Sequence, residues 1–596
     1  MAKRFLAFLK TLYAFLRVIL LPIGYTAKGI YAIIRHPVRS AKIAGAAVHF
    51  VMRHPITSWR IFYQFLRRAH KRFVRPAVQY LFSIFKLIFP WILAVTLAAL
   101  LARSILSLSP TKVVAIFLAS CLMGIIWRRI EVGIVLLLIM VATIFYASVF
   151  PKVITIGGFG PWGAETLLIA LIGVGTVRFL ANRNSIFPRS PVTLPLVVFY
   201  ISIIISMANS YFNYLQNPRG WFDFKTVYNT CRPLFFYLFF FVIAFGLQTE
   251  RELKVVLKSA VVMSVIVSIL MVVQAALGTS HRVFFGTEWS PKFVNPLSPE
   301  EQEVARSLPP GLSLSQMIFI PVLYLTACQK GKSAFIYGIA FLCMLIGLAF
   351  SFTRNYWFTA AVCSVLLIIL AGRGIRGRLI GITAILLVSS ILLSFVVGNL
   401  MSAAGSEFGP AMVRRFQSLI NKEAFESASF ENRREEVRRT WPQILRDPIF
   451  GVGPGKPFYY DEITLKSGQK LLIEHSALHN SYLELWLVYG AFGLGSFIWL
   501  SIAFLVRAIC AYRRLKNPYY KAWALGLGIA YIGFLIRANI GMHILHEPPQ
   551  MLSVALSWGI IDVMLKLERA KAEAFAHQAA QKLPIPRRPL VNPTIS

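Results

Sequence analysis

An all-α polytopic membrane protein is the fold class this sequence predicts, and three observations predict it. Of the 596 residues, 57% are hydrophobic and only 14% are charged, with a mean hydropathy of +0.65. That is too apolar for a soluble domain. Apolar runs of about 20 residues, the length that crosses about 30 Å of hydrocarbon, recur along the chain. Between them, Lys and Arg gather in alternate connections, the pattern of the positive-inside rule.

The apolar runs number about fourteen, centred near 97, 119, 141, 173, 201, 240, 266, 320, 344, 364, 390, 501, 531 and 557, and twelve to fourteen transmembrane helices are expected. The basic connections hold Trp127-Arg128-Arg129, Arg178 to Arg189, Arg251 to Lys258, Lys330 and Lys332, Arg373, Arg376 and Arg378, and Arg513 to Lys521. The others carry few charges, with Lys112, Lys152, Arg354 and Arg537 nearly alone in theirs. Fourteen spans with a cytoplasmic N-terminus put every basic connection, and the basic C-terminal tail, in the cytoplasm. The transmembrane domain then covers residues 80–565, and its longest connection, 402–480, lies on the outer face.

Lys and Arg outnumber Asp and Glu by 62 to 24, a net charge of +38. Much of that excess lies in residues 1–76 and the rest alternates between spans, so a membrane surface accounts for it and no nucleic-acid partner is expected. Residues 1–76 mix aromatic and aliphatic residues with frequent Lys and Arg, and "RHPVRSAKI" at Arg35 returns loosely as "RHPITSWRI" at Arg53. They read as basic amphipathic helices on anionic lipid; docking to a cytoplasmic partner is the alternative. Lys10 and Arg17 interrupt the first apolar run, which argues against a signal peptide. The Ala-, Lys- and Pro-rich tail, 570–596, reads as disordered. The six cysteines lie in or beside apolar runs without metal or disulfide spacing, as small buried hydrophobes do.

Three outer-face segments could carry chemistry. "SFTRNYW", Ser351 to Trp357, puts Arg354 at a turn between spans. A guanidinium there is either a snorkelling anchor or a bidentate binder of pyrophosphate. "FENRREEVRRTWPQILRDPIFGVGPGKPFYY", Phe430 to Tyr460, reads as a surface helix from Glu431 to Leu445. Its expected apolar stripe is Val437, Trp441 and Ile444 or Leu445. Asp447-Pro448 stops the helix, and Gly451, Gly453 and Gly455 follow as a tight, exposed loop. "GVGPG" lacks the G-K-[ST] ending of a P-loop. Arg433, Arg434, Arg438 and Arg439 are either a solvated face paired with Glu435 and Glu436, or a source of phosphate contacts.

The third segment is "EHSALHNSYLELWLVYGAFGLGSF", Glu474 to Phe497. His479 stands at the mouth of a span, and imidazole exchanges protons near physiological pH. Asn480 and Ser481 can cap the following helix, and His475 is a second imidazole nearby. His543 and His546 also fall on the outer face, at a three-residue spacing that is weak evidence for metal. No zinc motif, EF-hand loop or G-x-S-x-G elbow occurs, and no metal or cofactor is expected.

The turn at Ser351–Trp357, the Arg433…Pro448…"GVGPG" run and the "HNSYLELWLVYGAFGLG" segment together resemble the O-antigen ligase family and its related polysaccharide polymerases, over about residues 165–565. The resemblance implies a metal-independent C-type glycosyltransferase of the bacterial inner membrane, with both termini cytoplasmic and 402–480 as a large periplasmic loop. It implies a polyprenyl-pyrophosphate-linked glycan as donor and a glycan or lipid-core hydroxyl as acceptor. His479 would then be the catalytic base, with Arg354 and Arg433 on the pyrophosphate. Arg434, Arg438, Asn480 and His475 are secondary candidates. Ligase and polymerase differ only in acceptor. From another class, a small-solute transporter is the competing reading, weakened by the scarcity of acidic residues inside the spans.

Overall fold

The structure is a computed structural model that describes residues 120–145, 163–181, 190–216, 224–277, 283–284, 308–351, 353–403, 428–455, 458–464, 470–475, 477–541 and 544–582. The expectations for residues 1–76 and for the run centred near 97 fall outside them. Residues 1–124 with 176–187, and 125–175 with 188–596, form two compact units, and the second holds the candidate site.

Hydrocarbon offers no partner to backbone N–H and C=O groups, so a chain this apolar resolves into helices. In order they are α1 (Ile130–Val141), α2 (Gly163–Ala181), α3 (Thr193–Gln216) and α4 (Phe224–Cys231). A 3-10 turn (Arg232–Leu238) leads into α5 (Phe239–Gly246), followed by α6 (Glu250–Leu277), α7 (Gly311–Cys328) and α8 (Gly331–Ala349). Then come α9 (Arg354–Leu370), α10 (Arg373–Ala403) and α11 (Ala428–Arg446). The last are α12 (Ser481–Arg514), α13 (Pro518–Ala538) and α14 (Pro548–Lys582).

Nine helical segments among the described residues are long and apolar enough to cross a membrane, while α1 and α9 are shorter apolar helices. The chain is a multi-pass membrane protein. The fold is all-helical as expected, with one small hairpin among the described residues, in which β1 (Tyr459–Thr464) and β2 (Lys470–His475) pair antiparallel, Tyr459 opposite His475 and Thr464 opposite Lys470. Water satisfies the open edges of such a hairpin where it is solvated. One expectation needs correction: the tail is not disordered from 570, since α14 continues to Lys582.

The core is built on α7, α13 and α14, whose apolar windows are 89%, 72% and 94% buried. At the opposite extreme α10 is 11% buried and turns Ile380, Ile385, Val388 and Leu392 outward. The helix ends sort into two groups. Arg537 of α13 lies over Tyr356 of α9, and Asn539 bonds Asn480, which precedes α12. At the other end Lys571 of α14 pairs with Glu250 of α6 at 2.5 Å, and Glu568 accepts from the Lys516 amide.

One helix is broken. In α12, Gly490 has φ 68° and ψ −174°, dividing a short segment, Ser481–Tyr489, from the stretch that continues to Arg514. At 1.5 Å per residue the later stretch alone reaches about 36 Å, enough to span. The break strands backbone groups on both sides, and the "GVGPG" loop supplies their partners. Val452 N and Gly453 N donate to the carbonyls of Leu487 and Val488, at 2.9 and 3.1 Å. In return Ala491 N and Phe492 N donate to Pro448 and Ile449, at 2.8 and 3.2 Å. Ser206 of α3 adds a second donor to Val488 O at 2.7 Å.

The loop is therefore buried, not exposed as its composition suggested. Gly451, Gly453 and Gly455 all have positive φ. A Cβ on Gly451 would lie 2.3 Å from Val488 O, and one on Gly490 would lie 2.0 Å from Ile449 O. Gly490→Ala should therefore lower stability by about 2 kcal/mol or more, from the left-handed backbone and the clash together. Gly495→Ala, where a Cβ meets nothing within 4 Å, should be neutral or stabilising by up to about 1 kcal/mol. Thermal unfolding of the two purified variants in detergent checks the pair.

Candidate functional site

Ser481–Tyr489 presents its first turn to the end of the bundle where Arg354 and Arg537 lie. Asn480 caps it, its Oδ1 accepting from the amides of Tyr482 and Leu483, both at 3.0 Å. The Asn480 Nδ2 donates to Asn539 Oδ1 at 2.8 Å, Ser481 Oγ donates to Gly541 O at 2.5 Å, and Tyr482 OH to Leu535 O at 2.8 Å. Five bonds thus fix the residue after His479 and the turn that follows it. Glu484, one turn on and 1% exposed, accepts from the Leu478 amide at 3.3 Å.

His479 itself is held from the other side by Glu436 of α11. Glu436 Oε1 lies 2.5 Å from His479 Nδ1, and Oε2 accepts from the His479 amide at 3.1 Å. Glu436 is 7% exposed while the imidazole is 49% exposed. A carboxylate on Nδ1 makes that nitrogen the N–H donor, so Nε2 carries the lone pair. An imidazole oriented this way, with a buried anion behind it, can accept a proton at Nε2 and be stabilised as imidazolium.

The inward face of α11 is not the one its apolar pattern suggested. Glu436, Thr440 and Ile444 are buried, and Arg433 shares their face. Of the expected packing stripe of Val437, Trp441 and Ile444 or Leu445, only Ile444 is buried; Val437, Trp441 and Leu445 are exposed, although Trp441 meets Trp486 edge-on at 5.6 Å. Arg433 is half-buried, which draws its guanidinium below the ordinary arginine range, opposed by the charge of Glu436. Its Nε is buried without a hydrogen-bond partner among the described residues.

Of the residues singled out in the sequence, His479, Asn480 and Arg433 come together around Glu436. Arg354 opens α9, two residues before Tyr356, whose ring carries the Arg537 guanidinium at 4.9 Å. That contact ties Arg354 to the end of α13 that holds Asn480. Arg434 is exposed, and Arg438, 84% exposed, faces Glu435 at 3.9 Å. Arg439 also pairs with Glu435, at 2.9 Å. The solvated-face reading thus fits Arg438 and Arg439. His475 ends β2, and His543 lies outside the described residues.

Sequence reasoning missed the role of Glu436, grouping it with Glu435 as a partner for surface arginines. The usable signal was spacing: 433, 436, 440 and 444 fall on one helical face, and it is polar at the start of the helix. It also missed the pair behind the site, in which His546 Nε2 lies 2.5 Å from Glu484 Oε1. Burial pulls the His546 imidazolium down, but the charge and hydrogen bond of Glu484, with Glu547 adding, outweigh it and leave the group raised. A raised folded-state pKa stabilises fully below the unfolded value near 6.5, and that stability is lost as pH rises through the folded value. The unfolding midpoint of the protein should therefore fall as pH rises above about 6.5, and His546→Gln should flatten that decline. Unfolding in detergent at several pH values tests it, and equal slopes would remove the pair from the account.

None of the curated proteins matches the chain. Residues 339–498 match the family model described as O-antigen ligase. The matched stretch begins in α8, contains Arg354, Arg433, Glu436, the spliced glycine loop and His479, and ends in α12, short of Arg537 and His546. Over these residues the resemblance read from the motifs holds: this stretch is similar to the O-antigen ligase family.

Proposed function

We propose that the protein is a glycosyltransferase that moves a glycan from a polyprenyl-pyrophosphate donor to an acceptor hydroxyl on the periplasmic face of the bacterial inner membrane. The observation that carries this is the Glu436–His479 pair, standing with Arg433 at one end of the helix bundle. His479 Nε2 takes the proton of the acceptor hydroxyl, and Glu436 stabilises the imidazolium that results. The acceptor oxygen attacks the anomeric carbon as its bond to the pyrophosphate breaks. Arg354 and Arg433 neutralise the charge that develops on the leaving diphosphate. A positioned base contributes typically 10²–10⁴-fold. No metal enters this scheme.

The side of the membrane follows from charge. Lys330, Lys332, Arg373, Arg376, Arg378, Arg513 and Arg514 flank helix ends opposite the one that carries His479. The positive-inside rule makes theirs the cytoplasmic end and His479 periplasmic. A donor held there is lipid-linked, because nucleotide sugars are cytoplasmic. The acceptor is read as a lipid-core sugar, hence a ligase. The same chemistry on the next repeat unit makes a polymerase, and the products of one experiment separate the two.

In a host lacking the gene, complementation with His479→Ala should leave surface polysaccharide at the level of the deletion while lipid-linked glycan accumulates. Long accumulated chains mean a ligase, single repeats a polymerase. Full complementation would show that His479 only precedes a helix cap. Glu436→Gln, which keeps shape but removes the charge, should lower turnover by about 10²–10⁴-fold with normal membrane levels of the protein. Arg354→Lys should lose at least about tenfold, because an ammonium lacks the planar fork; wild-type rates in either variant would take that residue out of the mechanism.

A further inference from the structure

The connection between α13 and α14 runs beside the first turn of α12 and bonds it repeatedly. Asn539 Oδ1 accepts from Asn480 Nδ2 at 2.8 Å. Gly541 O accepts from Ser481 Oγ at 2.5 Å, and Ile544 N donates back to that hydroxyl at 3.4 Å. The same connection is tied to the core, because Ile544 O accepts from the buried Tyr237 hydroxyl at 3.1 Å. The last bond of the series joins two ionisable groups, His546 Nε2 and Glu484 Oε1.

The other Glu484 oxygen turns back past the start of the helix and accepts from the Leu478 amide at 3.3 Å. The next amide, that of His479, donates to Glu436. Two successive peptide N–H groups before the Asn480 cap are therefore held by two buried carboxylates, one from α11 and one from α12. Each carboxylate also holds an imidazole, Glu436 that of His479 and Glu484 that of His546. An N–H lies in its peptide plane, so these bonds set the planes on either side of the Leu478 Cα. The backbone that carries His479 is thereby placed before Glu436 meets the ring. Leu478 is fully buried, and water cannot replace Glu484 on its amide. Without His546, the 1% exposed Glu484 would be a buried charge with no counter-charge. His546 lies past the residues that match the family model.

We propose that Glu484, held in place by His546, is a positioning residue for His479. It fixes the orientation of the imidazole without touching the substrate. This rests on the transferase reading and deepens it, naming what sets the geometry of the base. A displacement of about 1 Å at a reacting group costs about 10²-fold in rate, so the role is visible in turnover as well as in stability.

The test uses the full-length protein in two assays. In membranes of the deletion host, which hold its own lipid-linked glycan, transfer by Glu484→Ala should fall by about 10–100-fold. Glu484→Gln keeps an oxygen for the Leu478 amide and an N–H for a neutral His546, and should recover most of the wild-type rate. Glu484→Asp keeps the charge but draws the carboxylate back by one methylene. It should fail as Glu484→Ala does, and it carries the test if Glu484→Ala does not fold. In nanodiscs, with isotope-labelled histidine, the Nδ1–H proton of His479 is identified by magnetic resonance through its loss in His479→Ala. Its bond to Glu436 places that proton downfield. It should stay there in Glu484→Gln and move upfield or broaden in Glu484→Asp, a change that lowered stability alone does not produce. Wild-type transfer with an unmoved proton in folded Glu484→Asp would overturn the proposal. So would a Glu484→Gln protein as slow as Glu484→Ala. If His479→Ala keeps transfer, the base reading fails, while the response of the His479 proton to Glu484 is still read directly.

Discussion

The backbone splice between the "GVGPG" loop and the break in α12 is the interaction on which the site depends. A helix broken inside a membrane protein exposes unpaired amides and carbonyls, each expensive in an apolar surrounding. The chain answers those groups from a loop more than thirty residues earlier, with amides of Val452 and Gly453 on one side and carbonyls of Pro448 and Ile449 on the other. The splice does more than satisfy the break. It fixes the short segment that begins at Ser481 and, starting two residues past the end of α11 at Pro448, fixes that helix too. Glu436 and His479, 43 residues apart in sequence, are therefore held from both sides by backbone, and their contact does not rest on the flexibility of either side chain.

Around that frame, charge is handled in two ways. Surface arginines of α11 pair locally with Glu435, the kind of exposed contact that contributes little to stability. Inward-facing charges are kept in defined pairs or against a ring: Glu436 with His479, Glu484 with His546, Arg537 with Tyr356. Farther into the spans, Arg507 and Asp562 pair at 2.7 Å, a buried pair whose loss of one partner would strand the other. The polar groups that can meet a substrate are thus concentrated at one end of the bundle. That distribution suits chemistry at a membrane face better than passage through it.

Much of the fold was legible because hydrophobic length is a one-dimensional property. The runs centred near 201, 266, 320, 344, 501, 531 and 557 each fall inside a helix long enough to span. The site was legible in part. His479 and Asn480 stood out as polar residues at the mouth of an apolar run, and the capping role of Asn480 followed from its residue type. The orientation of α11 was misread. The expected stripe of Val437, Trp441 and Ile444 or Leu445 holds only at Ile444, and the helix packs through Arg433, Glu436, Thr440 and Ile444, because its neighbour offers an imidazole and an amide to a carboxylate. Periodicity finds an apolar face and cannot weigh a polar one. Gly451, Gly453 and Gly455 were read as an exposed turn for a similar reason: glycine marks unusual backbone, not whether that backbone meets water or another strand of the chain.

By itself the sequence determined that the chain crosses a membrane many times, which helix ends carry the basic residues, and which short motifs resemble the O-antigen ligase family. Each of these follows from composition, run length or residue order, all local properties. Only the tertiary structure decided that α12 breaks at Gly490, that a distant loop repairs it, and that Glu436, not a nearer group, stands behind His479. Those outcomes are pairings of backbone and charge across long separations. They are chosen by which arrangement leaves the fewest buried polar groups unsatisfied, and no window of sequence contains both partners.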